Sequence, residues 1–189
     1  CVCIASANDA MYALSELVGS SNQNFVKLMN DKAKQLKLSN TNFVNVTGFD
    51  DENHYTTAYD MALLACEAVK NADFAAACAS ESARLEYGNP PYWRTLRNHN
   101  KLLKLYENCV GVKTGFTKKS GRCLVSAVKR NGKYVIAVTL NAPNDWQDHK
   151  TMVEYGLNSI KQTEITPKST SYKIPVISGE KENISVEVK

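Results

Sequence analysis

Long hydrophobic runs are missing from this chain of 189 residues. The longest apolar stretches are short, such as Tyr134-Val135-Ile136-Ala137-Val138, well below the ~20 residues a helix needs to cross a bilayer. Glycine and proline are sparse, at 9 and 5 residues, which excludes collagen-like and mucin-like chains. No CxxC pair and no HExxH occurs, and His54, His99 and His149 lie far apart, a spacing that points away from a metal site. A strong charge of one sign is also lacking. Lys plus Arg number 23 against 19 for Asp plus Glu, and an excess so small and scattered is no footprint for nucleic acid.

What is present is 43% hydrophobic and 22% charged residues, the proportions of a soluble globular protein rather than a disordered one. The length suits one domain of ordinary size with a small appendage. The cysteines Cys1, Cys3, Cys66, Cys78, Cys109 and Cys123 are too dilute for a stapled miniature fold. Most are expected to be buried as small hydrophobes, and one or two disulfides stay open. No cofactor is expected.

Helical spacing of Met11, Leu14, Leu17 and Val18 predicts a helix over about 8–18, stopped by Gly19. Phe25, Val26, Met29, Ala33 and Leu36 predict a second, capped by Ser21 or Asn22. From Ser39 to Tyr55 the chain is rich in Asn, Asp, Thr and Gly and reads as an ordered loop. Thr57-Ala58-Tyr59-Asp60 is a variant capping box for a helix carrying Met61, Leu64, Ala65, Ala68 and Val69. A short helix is expected over 71–79, and a hairpin turning at Gly88-Asn89-Pro90-Pro91. After a short helix at 100–105 come strands through Val110-Gly111-Val112, over 123–128 and over 133–140, the last two joined by Asn131-Gly132. Residues 145–160 read as a helix with Trp146, His149, Met152, Val153 and Leu157 inward. Beyond Lys161 a linker leads to the alternation of Ile174 and Val176, then Ile184, Val186 and Val188. Two strands alone are marginal, so this tail reads as the start of a β-rich module.

Two short motifs stand out. Ser6-Ala7-Asn8 lies at a helix N-terminus, and Lys113-Thr114-Gly115 at the end of a strand. Each alone is weak, but their order and context match the second and third signatures of the active-site serine penicillin-recognising enzymes, whose first is S-x-x-K. With Phe25 to Asn30, Thr41-Asn42-Phe43 and Gly48, His54 to Ala58, Asn98 to Leu103 and Gly111 to Thr117, the chain resembles the low-molecular-mass penicillin-binding proteins. These are serine D-alanyl-D-alanine carboxypeptidases. Asn141-Ala142-Pro143 through Trp146 and His149 resembles Gram-positive members in particular.

The resemblance implies an α+β penicillin-recognising fold, an antiparallel sheet with packed helices. Residues 1–162 would be the C-terminal portion of the carboxypeptidase domain, and 163–189 a linker with the first strands of the β-rich C-terminal module. It further implies that Ser6 relays a proton, that Asn8 holds the substrate amide, and that Lys113 and Thr114 bind a terminal carboxylate. Gly115 would allow close backbone approach, and the Phe116 N–H would donate to an oxyanion. The implied partners are a stem peptide ending in D-Ala-D-Ala, and β-lactams as inhibitors, on the extracytoplasmic, cell-wall side of a bacterial membrane.

One departure stands against this. The family's S-x-x-K precedes S-x-N, and only five residues precede Ser6 here. Ser178-Gly179-Glu180-Lys181 fits the pattern literally but follows Lys113-Thr114-Gly115, the wrong chain order. Acyl-enzyme chemistry needs a nucleophile beside its base, so the chain by itself is expected to be inactive and N-terminally truncated. It should leave apolar surface uncovered, to bind its missing half or a second copy. A catalytically inactive peptidoglycan- or β-lactam-binding module is the alternative, with a β-lactamase behind it. The plainer readings are that Ser6 and Asn8 cap a helix, that Lys113-Thr114-Gly115 is an ordinary strand end, and that Lys118, Lys119 and Arg122 form a solvated turn rather than a basic cluster that attracts anionic peptidoglycan. His54, Tyr55 and Trp146 are expected to hold loops and helices in place.

Overall fold

Strand β4 (Gly121–Arg130) is the centre of the larger sheet, flanked by β3 (Cys109–Thr117) and β5 (Lys133–Thr139), all antiparallel. The computed structural model describes residues 1–160, 171–177 and 182–187. Its contacts divide the chain into a unit of Cys1–Leu157 and a unit of Asn158–Lys189. Successive side chains on a strand point to opposite faces, and β4 is apolar on both. Ala127 joins a cluster with Val69 and Cys78, while the next residue, Val128, joins another with Ala137 and Val153. Helices α4 (Ala58–Ala68) and α5 (Ala72–Ala79) therefore cover one face, and α7 (Asp145–Ser159) the other. The β4–β5 turn is the expected Asn131-Gly132, with positive φ at both residues (51° and 76°), as a two-residue hairpin turn of matching twist requires.

Local signals set most helix starts. Ser21 caps α3 (Asn22–Gln35) by accepting from the Asn24 N–H, Thr57 caps α4 by accepting from Asp60, and Asn71 caps α5 by accepting from Phe74. The hairpin β1 (Ser82–Tyr87) and β2 (Tyr92–Arg97) pairs Tyr87 with Tyr92. The short helix α6 is Leu102–Leu105, later than expected, because the Asn98 and Asn100 side chains instead accept from the N–H groups two residues on.

Helix α2 (Asn8–Gly19) forms where expected but buries a different stripe. Ser15 and Gly19 are buried against α3, whereas Leu17 is 83% and Val18 58% exposed. A Cβ on Gly19 would meet the Phe25 backbone N at 2.7 Å, so the small residues set the closeness of that crossing and the larger apolar ones are left uncovered. The short helix α1 (Val2–Ala5) was not foreseen, since four residues show no period. Cysteine burial also differs from expectation. Cys78 is buried, but Cys1 and Cys66 are exposed, and all six thiols are free. In the second unit, β6 (Ser171–Pro175) pairs antiparallel with β7 (Asn183–Glu187), matching Ile174 to Ile184 and Tyr172 to Val186. Ser178 to Lys181 and Val188 lie outside the described residues.

His149 joins α7 to the sheet. Its ring is fully buried, with Nδ1 at 2.6 Å from Ser126 Oγ on β4 and Nε2 at 2.9 Å from Thr139 Oγ1 on β5. A neutral imidazole suits this bracket, one nitrogen donating and the other accepting. Burial pushes the ring down to about 4 from 6.5, with Asp145 and Asp148 pulling weakly upward. The unfolded chain therefore takes up this proton first. The stability His149 contributes is complete above about pH 6.5 and is lost as pH falls towards 4, by up to about 3 kcal/mol. In urea unfolding between pH 7 and 4, His149→Gln should show a correspondingly shallower loss than the unsubstituted chain. Parallel pH profiles would contradict the bracket.

Candidate active-site cleft

Ser6 is the hinge between α1 and α2. Its backbone is left-handed (φ 53°, ψ 40°), and its N–H closes α1 on the Val2 carbonyl. Ala7 is extended and stands at the N-cap position of α2, with no side-chain cap. Neither Ser6 nor Asn8 thus stands at the N-cap of α2. Both are exposed, and both line a cleft of about 680 Å³.

The opposite wall is the end of β3. Lys113, Thr114, Gly115 and Phe116 pair with Val125, Leu124, Cys123 and Arg122 of β4, and all four line the same cleft. Lys113 Nζ is half-buried and donates to the Thr114 carbonyl at 2.8 Å. Burial holds its ammonium below the usual lysine range, with the Cys3 and Cys78 thiols acting the other way. Phe116 turns its ring outward, 71% exposed. Within the described residues β3 is an edge strand, so its outward ladder groups are free to meet an extended ligand.

The 39–55 loop supplies a third wall through Val46, Thr47, Gly48 and Phe49. Asn45 shapes it, its Oδ1 accepting from the N–H groups of Thr47, Gly48 and Phe49. At one end Asp60 of α4 accepts from the Asn40 N–H and the Thr41 hydroxyl. At the other, Asp50 Oδ1 accepts from Thr117 Oγ1 at 2.7 Å and Ser120 Oγ at 3.1 Å, tying the loop to the β3–β4 turn. His54 steadies the loop as expected, accepting from the Val44 N–H and meeting Phe43 edge-on.

The basic cluster divides at Arg122. Lys118 and Lys119 are solvated, but Arg122 turns into the cleft. Its Nη2 lies 2.9 Å from both carboxylate oxygens of Asp145, and its guanidinium sits over the Trp146 ring. Its Nε is buried with no hydrogen-bond partner. Trp146, expected only to hold a helix, lines the cleft as well. Sequence reading marked Arg122 only as one of a basic cluster and Gly48 only as a point of resemblance, and it missed Asp145 and the rest of the 46–49 wall because nothing local marks them. The cross-strand register of Arg122 with Phe116 was the one available signal.

Ser126-Ala127-Val128-Lys129 is a second literal S-x-x-K. On a strand an odd spacing sends the two side chains to opposite faces, and Ser126 Oγ is sealed against His149, so it is no nucleophile. Among the described residues, no cluster of three or more His, Cys, Asp or Glu is placed to hold a metal. The structure therefore brings Ser6, Asn8, Lys113, Thr114, Gly115 and Phe116 around one cleft.

Comparison with known proteins places the chain. The D-alanyl-D-alanine carboxypeptidase family matches residues 1–144. The D-alanyl-D-alanine carboxypeptidase DacF of Bacillus subtilis (strain 168) is 41% identical over 142 residues, covering 75% of this chain and 36% of the relative. DacC of Escherichia coli (strain K12) is 31% identical over 192 residues, covering 98% of this chain and 46% of the relative. The crystal structure of the DD-transpeptidase of Streptomyces K15 superposes with a TM-score of 0.77 at 30% identity, covering 83% of this chain and 65% of that one. The chain thus spans less than half the length of these two curated relatives. On the family match and on this architecture, the α+β penicillin-recognising fold is the fold of the chain, and the chain belongs to the D-alanyl-D-alanine carboxypeptidase family.

Proposed function

We propose that the intact protein is a peptidoglycan-trimming D-alanyl-D-alanine carboxypeptidase working through a serine acyl-enzyme, and that this chain carries its proton-relay and carboxylate-binding half. The observation that carries this reading is the convergence of Ser6 and Asn8 with Lys113 to Phe116 on one cleft from distant parts of the chain. In this reading the Lys113 ammonium and Thr114 hydroxyl hold the terminal carboxylate of a D-Ala-D-Ala stem peptide or of a β-lactam. Asn8 holds the penultimate amide, and Ser6 Oγ passes a proton to the leaving amine. Gly115 offers no side chain to block the approach, and the Phe116 N–H donates to the developing oxyanion. Residues 1–162 then form part of the catalytic domain, and 163–189 a linker and the opening of a β-rich module. The substrate puts the protein on the extracytoplasmic, cell-wall side of a bacterial membrane, where trimming bears on cell shape.

The nucleophile and its base are the elements this reading needs beyond Ser6 to Phe116. A protein including residues upstream of Cys1 should gain the mass of one opened β-lactam on incubation with benzylpenicillin, with the adduct on a serine N-terminal to Ser6. Absence of an adduct, with a stem peptide still bound, would instead favour the inactive binding module. For the chain itself, Lys113→Ala should weaken binding of a D-Ala-D-Ala peptide by roughly ten-fold or more, about 1.4 kcal/mol. Isothermal titration in low salt reads this, and unchanged affinity would remove Lys113 from the carboxylate site.

A further inference from the structure

Two thiols beside Lys113 take no part in the chemistry above. Cys3 lies on α1, just before Ser6, and is half-buried, while Cys78, near the end of α5, is 1% exposed. Helix α1 packs against α5, and Cys3 packs onto the apolar cluster of Cys78, Val69, Val112 and Ala127. The thiols are close enough to interact. Burial first, and then the Cys3 thiol, pushes the Cys78 thiol up to about 12, with Lys113 acting the other way. Cys78 is also held against β3, since a Cβ on Gly111 would meet its Cβ at 3.1 Å. The remaining cysteines are placed otherwise. Cys109 belongs to the cluster on the other face, Cys1 and Cys66 are exposed, and Cys123 points its thiol towards the carbonyls of the β3–β4 turn.

We propose that Cys3 and Cys78 form an oxidisable pair that closes to a disulfide, fastening the Ser6–Asn8 hinge to α5, the helix packed on the strand that carries Lys113. The oxidant is a low-molecular-mass disulfide. The thiolate of Cys3, the more accessible partner, attacks one sulfur of it and expels one thiolate, leaving a mixed disulfide on α1. Cys78 then gives up its proton and attacks the Cys3 sulfur, expelling the second half of the oxidant. Two protein thiols have lost two electrons and two protons, and the oxidant has become two thiols. The second step is intramolecular between residues of two packed helices, which offsets the reluctance of a buried thiol to ionise. The same reluctance favours the product. Labile disulfides are those whose reduced form is stabilised as thiolate, and burial denies Cys78 that stabilisation. The bond closes a loop from residue 3 to residue 78, long enough to restrict the unfolded chain substantially. It joins α1, which leads into Ser6, to α5, which packs on β3, so it constrains the distance between the Ser6 and Lys113 walls.

The test uses the full chain carrying Cys1→Ser, so that the peptide around Cys3 holds a single thiol. The reduced protein is exposed to oxidised glutathione, alkylated in denaturant, digested without reduction and read by mass spectrometry. The expected product is one linked pair, Cys3 with Cys78, lacking the two thiol hydrogens, with Cys66, Cys109 and Cys123 alkylated. The oxidised form should melt roughly 5–15 °C above the reduced form, and Cys3→Ala should lose both the link and the difference. Glutathione retained on Cys3 with Cys78 alkylated, or Cys78 linked to another cysteine, would overturn the pairing. A Cys3–Cys78 link with an unchanged melting temperature would overturn its fastening role.

Discussion

The register of β3 against β4 is the constraint on which the cleft depends. Lys113 opposite Val125, Thr114 opposite Leu124 and Gly115 opposite Cys123 place the ammonium, the hydroxyl and the bare backbone on one wall in a fixed order. A slip of one residue would send each to the other face. The strand cannot slip because β4 is buried on both sides, with Leu124, Ala127 and Val128 essentially inaccessible, and each face is clamped by a different helix. Cys78 on α5 presses on Gly111, and His149 on α7 ties β4 to β5 through Ser126 and Thr139.

The other walls are positioned against that strand by polar groups rather than by the apolar core. Asp60 holds the start of the 39–55 loop, and Asp50 anchors its end to Thr117 and Ser120 at the β3–β4 turn. Arg122, one strand over from Phe116, is braced by Asp145 and Trp146 at the start of α7. The left-handed Ser6 ends α1 and redirects the chain into α2. A non-glycine residue in that conformation carries a modest backbone cost, and here the serine lines the cleft. The result is a basic, three-walled site whose donors come from chain segments far apart in sequence.

Much of this was legible beforehand where the signal is local. The caps at Ser21 and Thr57, the Asn131-Gly132 turn and the strand carrying Lys113 each announce themselves within a few residues. The motif residues were legible through their resemblance to a family, and the structure places them around one cleft. What escaped was set by tertiary contact. Helix α2 has an apolar stripe but buries Ser15 and Gly19, because packing against α3 selects small residues for a close crossing. Arg122 reads as one more lysine-like charge in a basic turn until its partner, Asp145, is brought over by the sheet. Ser126-Ala127-Val128-Lys129 fits a catalytic pattern in letters, yet strand geometry separates its serine from its lysine.

The central claim is that the Ser6–Asn8 hinge and the end of β3 form one ligand site. Amide chemical shifts of the ¹⁵N-labelled chain, followed while a D-Ala-D-Ala-terminated stem peptide is titrated in, test this most directly. The account predicts shifts that saturate together at Ser6 to Asn8, at Lys113 to Thr117 and at Arg122, with a single dissociation constant. Shifts confined to one of these segments, or saturating at different concentrations, would contradict it.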